Sequence, residues 1–188
     1  IYSNTFIRQS EENYEDAHLN DNGMILVKQS GKWAILDQNL KNVTDFVFTD
    51  VAVNSKNQVF SGNYAVVADE NGYFLIDQKG KACFEKRFPN AKGMEGGYYA
   101  VADESGQWGF ADEKGELVVP CQYVDAYSFS NQTAAVQYAG KWGYINRYGN
   151  MVIDAQFSTA LPFLNGKAMV QDDQENIKVL ELRYFDTF

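Results

Sequence analysis

Hydrophobic and polar positions alternate along this chain in a pattern that returns four times. GKWAILD around Trp33, NGYFLID around Tyr73, GQWGFAD around Trp108 and GKWGYIN around Trp142 share one grammar: an aromatic anchor, a short apolar run, then an acidic or amide residue. The anchors lie 40, 35 and 34 residues apart. A period of this length marks units that cannot bury their own apolar faces and depend on their neighbours.

Counting forward from each anchor keeps the register. Two and three residues on come Ile35 and Leu36, Leu75 and Ile76, Phe110 and Ala111, then Tyr144 and Ile145. Four on stands Asp37, Asp77, Asp112 or Asn146, a polar strand end that leads into a turn. Seven on is glycine in three units, where a tight turn wants a residue tolerant of positive φ; Leu40 breaks that rule in the first. Fifteen on is an aromatic in every unit, Phe48, Phe88, Tyr123 and Phe157, and eighteen on a small or modest apolar residue, Val51, Ala91, Ala126 or Ala160.

Apolar or alternating runs precede the anchors at 24–27, 64–68, 98–102 and 134–138, and recur at 167–171. Turn-forming clusters separate these runs from the anchor strands, so each pair reads as a β-hairpin. A third strand follows the glycine turn, for example 116–119, which ends at Pro120, or 150–153. An irregular segment then carries the aromatic and the alanine to the next hairpin. The fold expected is all-β: tandem three-stranded antiparallel β-meanders of about 35 residues in an elongated or superhelical array. A closed propeller-like or barrel-like ring is the alternative. Residues 10–19 are the best helical candidate, but Tyr14 and Ala17 there already fit the repeat.

One repeat domain over 1–188 is the economical count. It comprises a partial unit at 1–30, the four anchored units, and a degenerate unit at 177–188 in which Ile177 replaces the aromatic. This phase reads as a piece of a longer array, with pairing of the two half-units into a ring as the alternative. Trp33, Tyr73, Trp108 and Trp142 are expected to plug the interior together with Phe48, Phe88, Tyr123 and Phe157. Truncating a core tryptophan to alanine would cost about 3–5 kcal/mol.

A net charge of −9 opposes nucleic acid and anionic membranes and suits a basic partner. No apolar run is long enough to span a bilayer as a helix. Cys83 and Cys121 occupy different repeat offsets, so two free thiols are expected. His18 is the sole histidine, which leaves no multi-histidine metal site and no Ser-His-Asp arrangement. Acidic clusters at 69–70, 103–104 and 172–175 fall at hairpin turns, where their side chains bond local backbone, and none has the ligand spacing of a calcium loop. Gly93, Gly96 and Gly97 lack the lysine and helix of a phosphate loop. Neither catalytic residues, metal nor cofactor is therefore expected. Aromatics outside the register are the binding candidates: Tyr99, Tyr127, Tyr138 and Tyr148, with Tyr184 and Phe185.

The stretches GQWGFADEKGELVVPCQYVDAYSF and GKWGYINRYGNMVIDAQFSTALPF resemble WG repeats, the tryptophan-glycine β-repeats common in bacterial proteins. Trp108 with Gly109 and Trp142 with Gly143 carry the dipeptide, whereas Ala34 and Phe74 replace the glycine and Tyr73 the tryptophan. Pro120 matches the family's proline after the third strand; Asp45, Glu85 and Asp154 depart from it. The resemblance implies an interaction scaffold without shared catalytic residues. The expected function is accordingly a noncatalytic protein-interaction module whose partner is another protein. Carbohydrate or cell-envelope binding through exposed aromatics is the alternative, and a carboxylate hydrolase ranks behind both.

Overall fold

The computed structural model describes residues 13–20 and 23–182. Every regular element in them is a β-strand, and all strand pairs are antiparallel. A first sheet holds β1 (Asp16–Leu19), β2 (Ile25–Gln29) and β3 (Lys32–Leu36). The second holds β4 (Asp50–Val51), β5 (Phe60–Ser61), β6 (Tyr64–Asp69) and β7 (Gly72–Ile76). In the third, β8 (Asn90–Ala91), β9 (Tyr98–Ala102), β10 (Trp108–Asp112) and β11 (Leu117–Tyr123) run in sequence order from one edge to the other. The fourth repeats this with β12 (Asp125–Ala126), β13 (Thr133–Tyr138), β14 (Lys141–Asn146) and β15 (Met151–Phe157). A fifth sheet closes the described array with β16 (Thr159–Ala160), β17 (Lys167–Gln171) and β18 (Ile177–Glu181).

The register agrees with the repeat. Each anchor pairs with the aromatic fifteen residues on: Trp33 with Phe48, Tyr73 with Phe88, Trp108 with Tyr123 and Trp142 with Phe157. Two departures from the meander have physical causes. The segment expected to be irregular forms a two-residue strand on the far side of the next hairpin, so the complete sheets have four strands. And the helical reading of 10–19 fails at 16–19, which is β1; its residues 10–12 lie outside the described ones.

Glycine after the tryptophan decides how far the outer strand runs. β11 continues past Pro120, contrary to the expected end, by bulging over Gly109: Phe110 faces Val119, yet Trp108 faces Tyr123. Proline is tolerated there because β11 is an edge strand and the bulge leaves its missing N–H unneeded. A methyl group on Gly109 would stand 2.5 Å from the Val119 carbonyl oxygen and 2.7 Å from the Cys121 nitrogen, and one on Gly143 would meet Ile153 and Ala155 in the same way. Ala34 and Phe74 fill the equivalent position in the first two anchored units. In those units the outer strand is reduced to isolated bridges, Leu36 with Asn42 and Ile76 with Ala82 besides the aromatic pair.

The turns also repeat. Oδ1 of Asp112 accepts the N–H groups of Lys114 and Glu116 at 2.9 and 3.0 Å, and Asn146 does the same for Tyr148 and Asn150. Leu40 sits in the glycine slot at φ 62°, so the first unit keeps the turn by straining a leucine rather than by changing it. Asp172 serves the last hairpin. Lys178 beside it, with the peptide N–H groups of Asn176 and Gln174, holds its carboxyl down at about 2.

Stacking of successive sheets makes the core. Leu26 and Ile35 of the first sheet pack on Ala65, Val67 and Ile76 of the second, and Ala135 and Tyr144 of the fourth pack on Ala168 and Val170 of the fifth. Side chains on one face of each sheet therefore point back along the array and those on the other point forward.

Gly109→Ala should lower stability by about 1–3 kcal/mol, although alanine in place of glycine at an unconstrained strand position stabilises by roughly 0.5–1 kcal/mol. Thermal unfolding of the variant checks this; a melting temperature equal to or above the parent's would show that the glycine does not set the close approach.

Candidate functional site

The two-residue strands β4, β8, β12 and β16 lie at one edge of their sheets, and the residues that follow them converge. Lys92 after β8, Tyr127 and Ser128 after β12, and Leu161 and Pro162 after β16 line one cavity of about 620 Å³. Val53, Asn54, Ser55 and Asn57 after β4 complete the wall, so four successive units contribute to it. These edges are the inner side of a curved array. Hydrogen bonds stitch the inner loops together: Asn54 Nδ2 donates to the Met94 carbonyl, Ser128 Oγ to that of Gly93, and Ser130 Oγ to that of Phe163.

The 53–58 segment is an insertion. From Ala91 to Tyr98, Ala126 to Thr133 and Ala160 to Lys167 the chain needs seven steps; from Val51 to Tyr64 it takes thirteen. The extra residues fold as a turn in which Asn54 Oδ1 accepts the N–H groups of Lys56 and Gln58. Asn54 is buried, Ser55 Oγ donates to Glu95 at 2.8 Å, and Lys56 pairs with the same carboxylate. Gly93 admits the insertion, since a methyl group on it would lie 2.4 Å from the Asn54 nitrogen. Within the glycine stretch, Gly93 is thus a packing seat for the inserted loop. Spacing was the signal for this loop: the first anchor interval exceeds the others by five and six residues.

Two lysines line the cavity, Lys92 and the more exposed Lys167, and Lys92 is the one set into the wall. Its ammonium donates to Asp125 Oδ1 at 2.8 Å and to the Ala126 carbonyl at 2.5 Å, and it lies 4.7 and 4.9 Å from the ring centroids of Trp108 and Tyr127. Tyr127 in turn packs on Trp142 at 5.4 Å. The Lys92 cation is satisfied within the protein, so what the cavity offers a ligand besides Lys167 is mainly apolar: Val53, Leu161, Leu164, Met169 and Val179.

The predicted binding tyrosines do not form a stripe. Tyr99, expected to be exposed, is fully buried between the second and third sheets, edge-on to Phe88, with its hydroxyl unpartnered; burial pushes its phenol well above the ordinary range. Sequence reading missed this because Tyr99 fills a slot that alanine holds in neighbouring units, Ala65, Ala134 and Ala168. Tyr127 lines the cavity. Tyr138 is half exposed and edge-on to Tyr123. Tyr148 is exposed beside Arg147 in the turn at the opposite end of β14, about 16 Å away along the strand. Tyr184 and Phe185 lie outside the described residues.

The anchors need a correction as well. Trp33 is buried, with the ring of His18 stacked on it at 5.4 Å, but Tyr73, Trp108 and Trp142 are half-buried. Burial and the hydrogen bond to Asp50 push the Tyr73 phenol up to about 12. For the half-buried indoles the cost of truncation falls from the fully buried range to about 2 kcal/mol. Both cysteines are free, as expected. No helix long and apolar enough to cross a membrane occurs among the described residues.

Comparison with known families bears on the glycine-bulge units. Residues 13–33, 108–142 and 142–175 match the WG containing repeat. The matches support the WG repeat family, and they leave out 34–107, where Phe74 fills the glycine slot, Tyr73 replaces tryptophan and the insertion lengthens the unit. No curated protein matches the chain. Among solved structures, Kluyveromyces lactis Hsv2 is 14% identical with a TM-score of 0.58 over 90% of this chain and 63% of its own. A eukaryotic initiation factor is 10% identical, TM-score 0.52, over 92% of this chain and 54% of its own. A Saccharomyces cerevisiae assembly of dbp5 bound to nup159, gle1, IP6 and ADP is 11% identical, TM-score 0.51, over 89% of this chain and 58% of its own. This chain spans about three fifths of the length of these structures, and the likeness is one of fold, a β-propeller-like stacking of small antiparallel sheets.

Lys92 and Asp125 should be energetically coupled. In a double-mutant cycle of Lys92→Met and Asp125→Asn, unfolding free energies should give about 1 kcal/mol of coupling that persists in 0.5 M salt. Additive effects would mean that the ring faces and the carbonyl hold the ammonium without Asp125.

Proposed function

We propose that this WG-type array is a noncatalytic protein-interaction module whose inner cavity receives an apolar segment of a partner protein. The cavity itself carries the reading. Its wall is assembled from four successive units, its one strongly held cation is already neutralised, and its remaining surface is largely aliphatic. Such a surface gains free energy by shedding water from apolar side chains at roughly 25 cal/mol per Å². Among the polar residues that line it, Asn54, Ser55 and Ser128 are engaged in holding the inner loops. These three therefore shape the wall rather than orient a small polar substrate.

The net charge of −9 adds a long-range preference for partners with basic flanks, which raises the association rate more than the affinity. Stacked β units offer extended surfaces for such contacts. One structure of similar fold holds dbp5 bound to nup159 and gle1; that likeness favours an interaction role without naming a partner.

A photo-crosslinking amino acid at Leu164 tests the site in the native lysate, with one at Tyr148 as control. Specific adducts from Leu164 that survive 0.5 M salt are expected, with few from Tyr148. Equal labelling from the two positions, or none from Leu164, would contradict the assignment.

A further inference from the structure

Two departures from the repeat meet at one cavity. The turns closed by the bridges Glu95 with Tyr98, Ser130 with Thr133 and Leu164 with Lys167 are equivalent. In the third and fifth sheets the residue before the closing one is glycine, Gly97 and Gly166, at φ 85° and 75°. The fourth sheet has Gln132 there, at φ 65°, a left-handed conformation that strains any residue with a Cβ. Five residues past the anchors stand Gln38, Gln78 and Glu113, but Arg147 in the fourth unit. Because Thr133 pairs with Asn146, the strained glutamine and the arginine come to the same end of one hairpin. Neither residue helps the fold, since glycine would relax the turn and glutamine serves the other position elsewhere. Local choices that work against the fold mark functional positions.

Both side chains line a cavity of about 340 Å³ between the third and fourth units. It shares no lining residue with the inner cavity, and nothing beyond Arg147 in the chain contributes to it. The Glu95 carboxylate at its wall is engaged by Lys56 and by the Ser55 hydroxyl, so that pair leaves no net charge. Arg147 has no carboxylate partner among the described residues. Its Nη2 donates to the Tyr148 hydroxyl at 2.8 Å, which holds the guanidinium and leaves Nε and Nη1 open. The half-buried ring of Tyr98 packs on Phe129 with 5.6 Å between centroids. Among the described residues the Tyr98 hydroxyl and the Gln132 amide make no hydrogen bond, and Asn131 uses only its Oδ1, toward the Gly166 N–H.

These groups select a ligand together. A guanidinium fork matches a carboxylate through two parallel hydrogen bonds. Side-chain amides and a phenol both donate and accept, as sugar hydroxyls do. The apolar face of an aromatic ring suits the C–H face of a pyranose. A bare carboxylate would satisfy Arg147 and leave the amides and the phenol idle. A neighbouring polar cavity of about 540 Å³ shares Lys56, Glu95 and Gly96 with this one and adds the amides of Asn57, Gln58 and Asn63. The two together exceed the volume of a single sugar ring.

We infer that the cavity at Gln132 and Arg147 binds an acidic sugar of the hexuronate class. Its carboxylate lies on Arg147, its hydroxyls meet Gln132, Asn131 and the Tyr98 hydroxyl, and its ring rests against Tyr98. This site goes beyond the protein-interaction reading and stands without it, because the inner cavity has no part in it.

Nuclear magnetic resonance titration of the isotope-labelled full chain with D-galacturonate tests this, read at the side-chain N–H signals of Asn131, Gln132 and Arg147. Saturable shifts at all three are expected, with D-galactose and acetate each binding at least about tenfold more weakly. Arg147→Gln, which restores the residue of the first two units, should reduce galacturonate to the level of galactose. Gln132→Gly should weaken both sugars while melting at or above the parent's temperature, a combination that a merely structural glutamine would not give. Oligogalacturonate separates the sources: tighter binding than the monomer marks a polysaccharide, and equal or weaker binding a free sugar. Absence of shifts with galacturonate would overturn the inference. So would acetate as effective as galacturonate, which would identify a bare carboxylate such as a peptide's acidic side chain, or a Gln132→Gly variant that binds unchanged or melts below the parent.

Discussion

Everything in this molecule depends on apolar contact between one small sheet and the next. A three- or four-stranded sheet of about five residues per strand cannot bury both faces by itself. Each unit here sends an aromatic or methionine, Phe60, Met94, Phe129 or Phe163, together with small residues, against the forward face of the sheet before it. Hydrogen bonding within sheets sets the register, while stacking supplies the stability and fixes the curvature. The inner cavity is a by-product of that curvature, lined where the short first strands crowd together.

Close backbone approach is the second constraint. At Gly109 and Gly143 the outer strand bulges across the inner one at distances no side chain permits. Where alanine or phenylalanine takes the position the outer strand shrinks to bridges, and the stack survives because the faces that pack on neighbouring sheets come from the other strands. The tryptophan-glycine pair therefore shapes the sheet's outer edge, and the core tolerates its loss in two units. Gly93 makes a different allowance, admitting an inserted loop to the inner edge and so bringing Val53 and Asn54 into the cavity wall.

Repetition made the architecture legible in the sequence, since apolar, turn and aromatic offsets recur at fixed distances from each anchor. Hairpins at 64–68 with 72–76, and at 134–138 with 141–146, could be read from alternation and turn residues alone. The two-residue inner strands were not legible: Asp125 and Ala126 carry no strand pattern, and they pair only because the preceding aromatic is pinned to its anchor. Exposure was harder still. Tyr99 has the same composition signal as Tyr148, but one points between sheets and the other into solvent, a distinction set by which face of a sheet the next unit covers. The half-burial of Trp108 and Trp142 also escaped, because the large ring lies at the sheet margin under Lys92 and Tyr127 rather than between sheets.

Hydrogen exchange on Phe129→Ala, with equilibrium unfolding, tests the dependence of each sheet on its neighbour most directly. Phe129 belongs to the fourth unit but fills the space against Phe110 of the third. Stability should fall by about 3–5 kcal/mol, with protection lost in β9 and β10 as well as in β13 and β14. Loss confined to the fourth sheet, with the third exchanging as in the parent, would contradict the account.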